Sequence, residues 1–137
     1  MATFKLTGTD ELLRKLKDYQ VKVPKHVGAA LLKEGEEIMT RSKEEFSPFD
    51  KGTLHGSGQV KMDKSGKNIV ARLGYGGAAA GYALAVHETP SGFDPPSWQG
   101  KAITFKRGGP KFLERPMLEA IPGMADRLAA EIEKAFK

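Results

Sequence analysis

Ser47-Pro48-Phe49-Asp50-Lys51-Gly52-Thr53-Leu54-His55-Gly56-Ser57 is the stretch on which the reading of the fold turns. Before it, apolar residues return at a helical period. Val27, Leu31, Ile38, Met39 and Phe46 share one face of a helix over about residues 25–46. Ala30 and Gly35 add small residues to that side, and Lys33, Glu36, Glu37, Lys43 and Glu44 form the solvated side. Pro48 stops this helix, because it lacks an amide proton and disfavours the helical conformation at Ser47. Gly52 permits a left-handed turn, while Asp50 and Ser57 can hydrogen-bond nearby backbone amides and fix it. Beyond the stretch, the period changes from helical to alternating.

Upstream, residues 3–7 alternate enough, through Phe4 and Leu6, for a short edge strand. Thr9 suits an N-cap, with Asp10 and Glu11 placed well for a first turn. Leu12, Leu13, Leu16 and Tyr19 make the stripe of a short first helix. That helix is expected to end before Val21-Lys22-Val23-Pro24, with Pro24 opening the long helix.

Downstream, residues 58–75 read as a β-hairpin. Val60 and Met62 alternate with polar neighbours, Lys64-Ser65-Gly66-Lys67-Asn68 makes the turn, and Ile69, Ala71 and Leu73 alternate on the return. Residues 82–88, Tyr-Ala-Leu-Ala-Val-His-Glu, read as a third strand in preference to a short helical turn. Residues 89–109 form a long Pro/Gly-rich loop, in which 101–106 supplies one more strand. Met117, Ile121, Met124, Leu128, Ile132 and Phe136 stripe a C-terminal helix that Pro122-Gly123 should kink or break. The expected architecture is one α+β domain over residues 1–137. An antiparallel sheet of three to five strands is packed by the long helix and the C-terminal helix.

Composition narrows the function. Of the 137 residues, 39% are hydrophobic and 28% charged, which suits a folded chain. With 22 basic and 17 acidic residues the net charge is +5, a mild excess that permits contact with an acidic surface or nucleic acid. There is no cysteine, so disulfides and thiolate chemistry are excluded. No signal-like or membrane-spanning run is present, and a protein made in a cytoplasm-like compartment, without membrane contact, is expected.

Chemical motifs are sparse. His26, His55 and His87 have no metal-ligand spacing, and His87-Glu88 lacks a second histidine four residues after the first. Ser57 is not in a Gly-x-Ser-x-Gly elbow. Gly74-Tyr75-Gly76-Gly77-Ala78-Ala79 fits a dinucleotide fingerprint, but Gly81 interrupts it and no βαβ unit surrounds it, so it reads as a chance match. No catalytic, metal or cofactor-binding residue is assigned, and the chain is not expected to be an enzyme. Lys5, Lys15, Lys17, Lys22 and Lys25 cluster early, and Lys101, Lys106, Arg107 and Lys111 cluster late. They are solvated lysines or contacts for DNA phosphates. Trp98, Phe105 and Phe112 are too few to argue for base stacking. Phe93 and Trp98 either fold back on the core or bury against another subunit.

The order of signatures resembles the small head–tail joining (neck or tail-completion) proteins of long-tailed bacteriophages. The matching pieces begin with Asp10 to Leu16 as an early Asp-Glu-Leu-Leu-Arg-Lys-Leu helix. Pro48, Asp50, Gly52, Leu54 and Ser57 follow at the turn, where the family usually has Asp-Thr-Gly and this chain has Asp50-Lys51-Gly52. Tyr82, Ala83, Val86 and Glu88 come next, followed by Thr89-Pro90 where the family often has Phe-Gly-Thr. Last are Pro110, Phe112, Leu113, Pro116, Leu118 and Glu119 leading into the final helix. The resemblance implies a virion structural protein without catalytic residues or cofactors. It implies a homo-oligomeric ring joining the portal or connector to tail proteins, with transient contact to packaged DNA allowed. Phe93, Trp98, Phe105, Lys106 and Arg107 are the candidates for the subunit interface. A small basic nucleic-acid-binding module is the alternative.

Overall fold

The computed structural model describes residues 3, 5, 7–48, 52–90 and 108–137. The described residues form an α+β fold, mostly helical, with a long N-terminal helix and a small two-stranded antiparallel sheet.

Helix α1 spans Thr9–Arg41 without a break. The two helices expected on either side of residues 21–24 are therefore one, and Pro24 lies inside it. Its ring removes one backbone hydrogen bond to Gln20, a cost of roughly 3 kcal/mol in an isolated helix. The helix runs through because it is held on both sides of the proline. Arg127 pairs with Glu34 beyond it, and the Phe136 ring lies 5.0 Å from that of Tyr19 before it. The N-cap is Gly8, in the left-handed conformation at φ 88°, so Thr9 is the first helical residue and not the cap. Asp10 and Glu11 do sit in the first turn.

The long helix ends as Pro48 requires. Ser42–Phe46 widens into a π-turn, in which the Ser47 amide donates to the Ser42 carbonyl over 2.6 Å. Ser47 itself is extended, at φ −71° and ψ 133°. The five-residue turn stacks Ser47 over Ser42 on the core side, and both are fully buried. Gly52 is left-handed, at φ 81°, and leads into the single turn α2, Thr53–Gly56.

Strands β1 (Gln59–Asp63) and β2 (Val70–Gly74) pair antiparallel from Gln59↔Gly74 to Asp63↔Val70. Val60, Met62, Ala71 and Leu73 lie on the more buried face, as the alternation predicts. That face rests on α1 at Gly35, where an added Cβ would stand 2.9 Å from Val60 Cγ1. Gly35 is thus a point of close approach, since valine's stiff side chain could not move aside cheaply.

The expected third strand is instead helix α3, Ala83–Glu88, preceded by a 3₁₀ turn at Gly77–Ala79. A strand would place Tyr82, Leu84 and Val86 together. The helix buries Ala83 with Val86, three apart, and turns Leu84 out with 73% exposure. Alanine at 83 and 85 favours this outcome. Residues 101–106, the other interior strand expected, lie outside the described residues. So do residues 4 and 6 of the expected edge strand, and residues 3, 5 and 7 belong to no strand.

The C-terminal helix is broken where Pro122-Gly123 predicts, into α4 (Glu114–Ala120) and α5 (Met124–Glu133), with a 3₁₀ turn at Lys134–Phe136. Gly123 takes φ 77° at the break. Arg127 holds the corner. Its guanidinium forms two bonds with the buried Glu34, at 2.5 and 3.0 Å, and donates to the carbonyls of Ala120, at the end of α4, and of Pro122, in the break. The C-terminal stripe is less buried than expected. Met117, Ile121 and Phe136 are exposed, and the fully covered positions are Pro116 and Ala135.

Candidate functional site

The core of the fold brings residues from the last three of the four sequence signatures to one place. Phe46 from the π-turn, Leu54 from α2, Ala79, Ala83 and Val86 from the α3 region, and Phe112 before α4 form one buried cluster, with Tyr75, Tyr82 and Leu113 packed at its edge. Phe112 is its centre, 1% exposed, and a burial of this kind stabilises by roughly 1.5–3 kcal/mol.

Polar groups tie the cluster to α1. The Ser42 hydroxyl donates to the Phe112 carbonyl at 2.7 Å. Its proton is thereby used, so the Tyr75 hydroxyl, also at 2.7 Å, donates to Ser42 Oγ. Burial raises the Tyr75 pKa, which keeps the phenol protonated as donor. The Tyr75 ring meets Phe112 edge-on, with centroids 4.9 Å apart. On the outer side, the Arg115 guanidinium lies over the Phe46 ring, 4.6 Å from its centroid.

A second set of contacts closes the base of the segment 91–107. The Lys111 amide donates to the His87 carbonyl at 2.7 Å, and the Gly109 amide to the Phe46 carbonyl at 3.1 Å. Gly108, at φ 69°, passes so close that a Cβ would lie 2.3 Å from the Phe46 carbonyl oxygen. The Lys111 ammonium bonds Glu88 and pairs with Glu114 at 3.3 Å. The Lys111 ammonium and then the His87 ring hold the Glu88 carboxyl below its ordinary range. Glu88, before the segment, and Gly109, after it, are therefore held at the same joint.

The geometry limits what the joint does chemically. His87 Nε2 accepts from the Glu114 amide at 3.3 Å, which leaves the proton on Nδ1, 2.8 Å from Glu88 Oε1. Both ring nitrogens are occupied, and the ring packs edge-on against Phe112. Ser57 Oγ donates to the Leu54 carbonyl at 2.7 Å, so this hydroxyl closes a turn. Among the described residues, no three histidine or acidic side chains come together as metal ligands, and no helix is long and apolar enough to cross a membrane.

Of the turn residues marked in the sequence, Gly52, Leu54 and Ser57 act as turn and core elements, and Pro48 is half-buried. Asp50 lies outside the described residues, as do all five interface candidates, Phe93, Trp98, Phe105, Lys106 and Arg107. Ser42 and Tyr75 escaped the sequence reading. The one available signal was a serine four residues before Phe46, near the end of the helix expected over residues 25–46. Compared with models of protein families, with curated proteins and with solved structures, the chain matches none.

Proposed function

We propose that the protein is a structural subunit of a phage virion, assembling as a ring at the head–tail junction between the portal side of the capsid and the tail. It has no catalytic step and no cofactor in this reading. One observation carries the proposal. The signatures on which the resemblance rests come from four distant stretches, and Leu54, Val86 and Phe112, one from each of the last three, meet in one cluster. Spacing that looks incidental along the chain is thus compatible with one packed joint, and it supports treating those three pieces of the resemblance as one unit.

Two further features support the ring. The joint holds Glu88 and Gly109, which bracket a stretch of sequence that carries Phe93 and Trp98. Apolar side chains also remain on the surface, Leu12, Leu13 and Leu16 on α1 and Met117, Leu118 and Ile121 around α4. A head-to-tail ring needs two different patches per subunit. The reading also expects the sheet to reach three to five strands, with residues 101–106 adding to the hairpin.

The test is assembly. The purified protein, imaged by electron microscopy and weighed by mass photometry, should form closed rings, and phage lacking it should accumulate unjoined heads and tails. Phe93→Ala with Trp98→Ala should leave a folded subunit that fails to join particles. Full infectivity of that double variant removes the segment from the interface. Normal virions without the protein end the structural reading and leave the small basic nucleic-acid-binding module in its place.

A further inference from the structure

An open groove of about 720 Å³ lies between the middle of α1 and the tip of the β1–β2 hairpin. Its walls include Val23, Val27 and Ile69, and its rim carries Lys25 from the helix with Lys64 and Lys67 from the hairpin turn. None of these three lysines has a carboxylate partner among the described residues. Elsewhere Lys15, Lys22, Lys33, Lys111 and Lys134 are each paired with an acid. Lys25, Lys64 and Lys67 thus bring three uncompensated positive charges to one groove, and the neighbouring acids do not neutralise them. Asp63 Oδ1 accepts from the Ser65 amide at 3.0 Å and the Ser65 hydroxyl at 2.6 Å, and its other oxygen lies 3.6 Å from Arg72. Asp18 is held by Lys22 at 2.8 Å.

The hairpin turn is also set against the helix. Gly28 is buried, and the Lys64 ammonium lies 3.0 Å from where a Cβ on it would stand. The absence of a side chain at 28 leaves room for this amine beside α1 at the groove. Among the described residues no aromatic side chain lines the groove, so they offer no platform for stacking unpaired bases. Cations at the rim above aliphatic walls suit a sugar–phosphate backbone.

We infer that this groove binds the backbone of double-stranded nucleic acid, with Lys25, Lys64 and Lys67 each neutralising a phosphate. This holds or fails apart from ring assembly, because it concerns the surface of the isolated protein.

The experiment is fluorescence anisotropy of the full-length protein on a labelled DNA duplex across a salt series. The triple variant Lys25→Gln, Lys64→Gln, Lys67→Gln is compared with Arg14→Gln, Lys17→Gln, Lys137→Gln, which removes the same charge from cations without partners elsewhere among the described residues. Thermal melts establish that both variants fold. Three lost phosphate contacts should flatten the slope of log K against log salt by about 2.7, at roughly 0.9 per contact. The groove variant should lose at least about tenfold in affinity at low salt, and the control much less. Equal losses in the two variants would mean diffuse attraction and no site. Salt-independent or undetectable binding by the parent protein overturns the proposal. So does a polyglutamate chain that competes for the groove as well as the duplex does, since the ligand would then be an acidic protein.

Discussion

The two halves of α1 are built from the same pattern and meet different fates. In the C-terminal half, Ala30, Ile38 and Met39 are buried, as is Ser42 in the π-turn that follows. In the N-terminal half, Leu12, Leu13 and Leu16 continue the stripe but stay 53–56% exposed. The difference lies in the partner and not in the helix. The C-terminal segment follows α1 from the Glu34–Arg127 pair to the Tyr19–Phe136 contact, and among the described residues no element covers the leucines beyond it. Amphipathic periodicity states which face wants burial. What buries it is decided elsewhere in the chain, or by another chain.

The strongest way to break this contrast is to attack the packed end. Phe112→Ala should cost about 3–5 kcal/mol, because the ring fills the centre of the cluster and its neighbours come from four separate elements that cannot all close the gap. Urea unfolding monitored by circular dichroism measures it, and a loss below about 1 kcal/mol would mean that the joint is not the core. Ser42→Ala probes the same site more gently. It removes the donor to the Phe112 carbonyl and the acceptor for the Tyr75 hydroxyl, both at 2.7 Å, and should cost about 1–3 kcal/mol. Adding Tyr75→Phe to Ser42→Ala should recover part of that loss, since the stranded hydroxyl is then gone too.

These same residues show how far the sequence could be read. Pro48 and Gly52 were legible because their constraints are local. One forces Ser47 into an extended conformation, and the other supplies a positive φ. The hairpin was legible through its alternation, and the break at Gly123 through its proline and glycine. Pro24 misled because its local penalty was outweighed by contacts made some hundred residues away. Residues 82–88 misled because Leu84, which looks like a core residue, faces solvent, while the small Ala83 is the one inside. The Ser42–Tyr75–Phe112 connection joins residues 33 and 70 positions apart, and no spacing rule announces such a pair.

The exposed end of α1 supplies the opposite test. Leu12→Gln, Leu13→Gln and Leu16→Gln together should barely alter the subunit, each change staying within about 0.5 kcal/mol. The assembled species should nevertheless lose mass by analytical ultracentrifugation, if those leucines face a neighbouring copy. A large drop in subunit stability would mean that the stripe is already covered within the chain, and the contrast between the two halves would vanish.

The smallest effect concerns the exposed ion pairs that tie the two regions together. Glu131 sits between Lys33 of α1 and Lys134, with 2.9 Å to each ammonium, and these bonds hold its pKa down to about 2. Glu45, beside Arg41, and Glu88, beside Lys111 and His87, are lowered as well. A carboxylate whose folded pKa is depressed contributes its stability in full above the unfolded value, near 4.3 for glutamate. The unfolded chain protonates first, so that contribution fades as the pH falls from there toward about 2. The thermal midpoint should therefore fall over this acid range, modestly, because the groups face solvent. It should fall less in high salt, where the pairs are already screened. Glu131→Gln removes the titrating group and should flatten part of the acid limb while lowering the neutral plateau slightly. A midpoint that rises on acidification, or an acid limb unchanged by Glu131→Gln, would show that the Lys33–Glu131 bridge contributes nothing to holding α5 on α1.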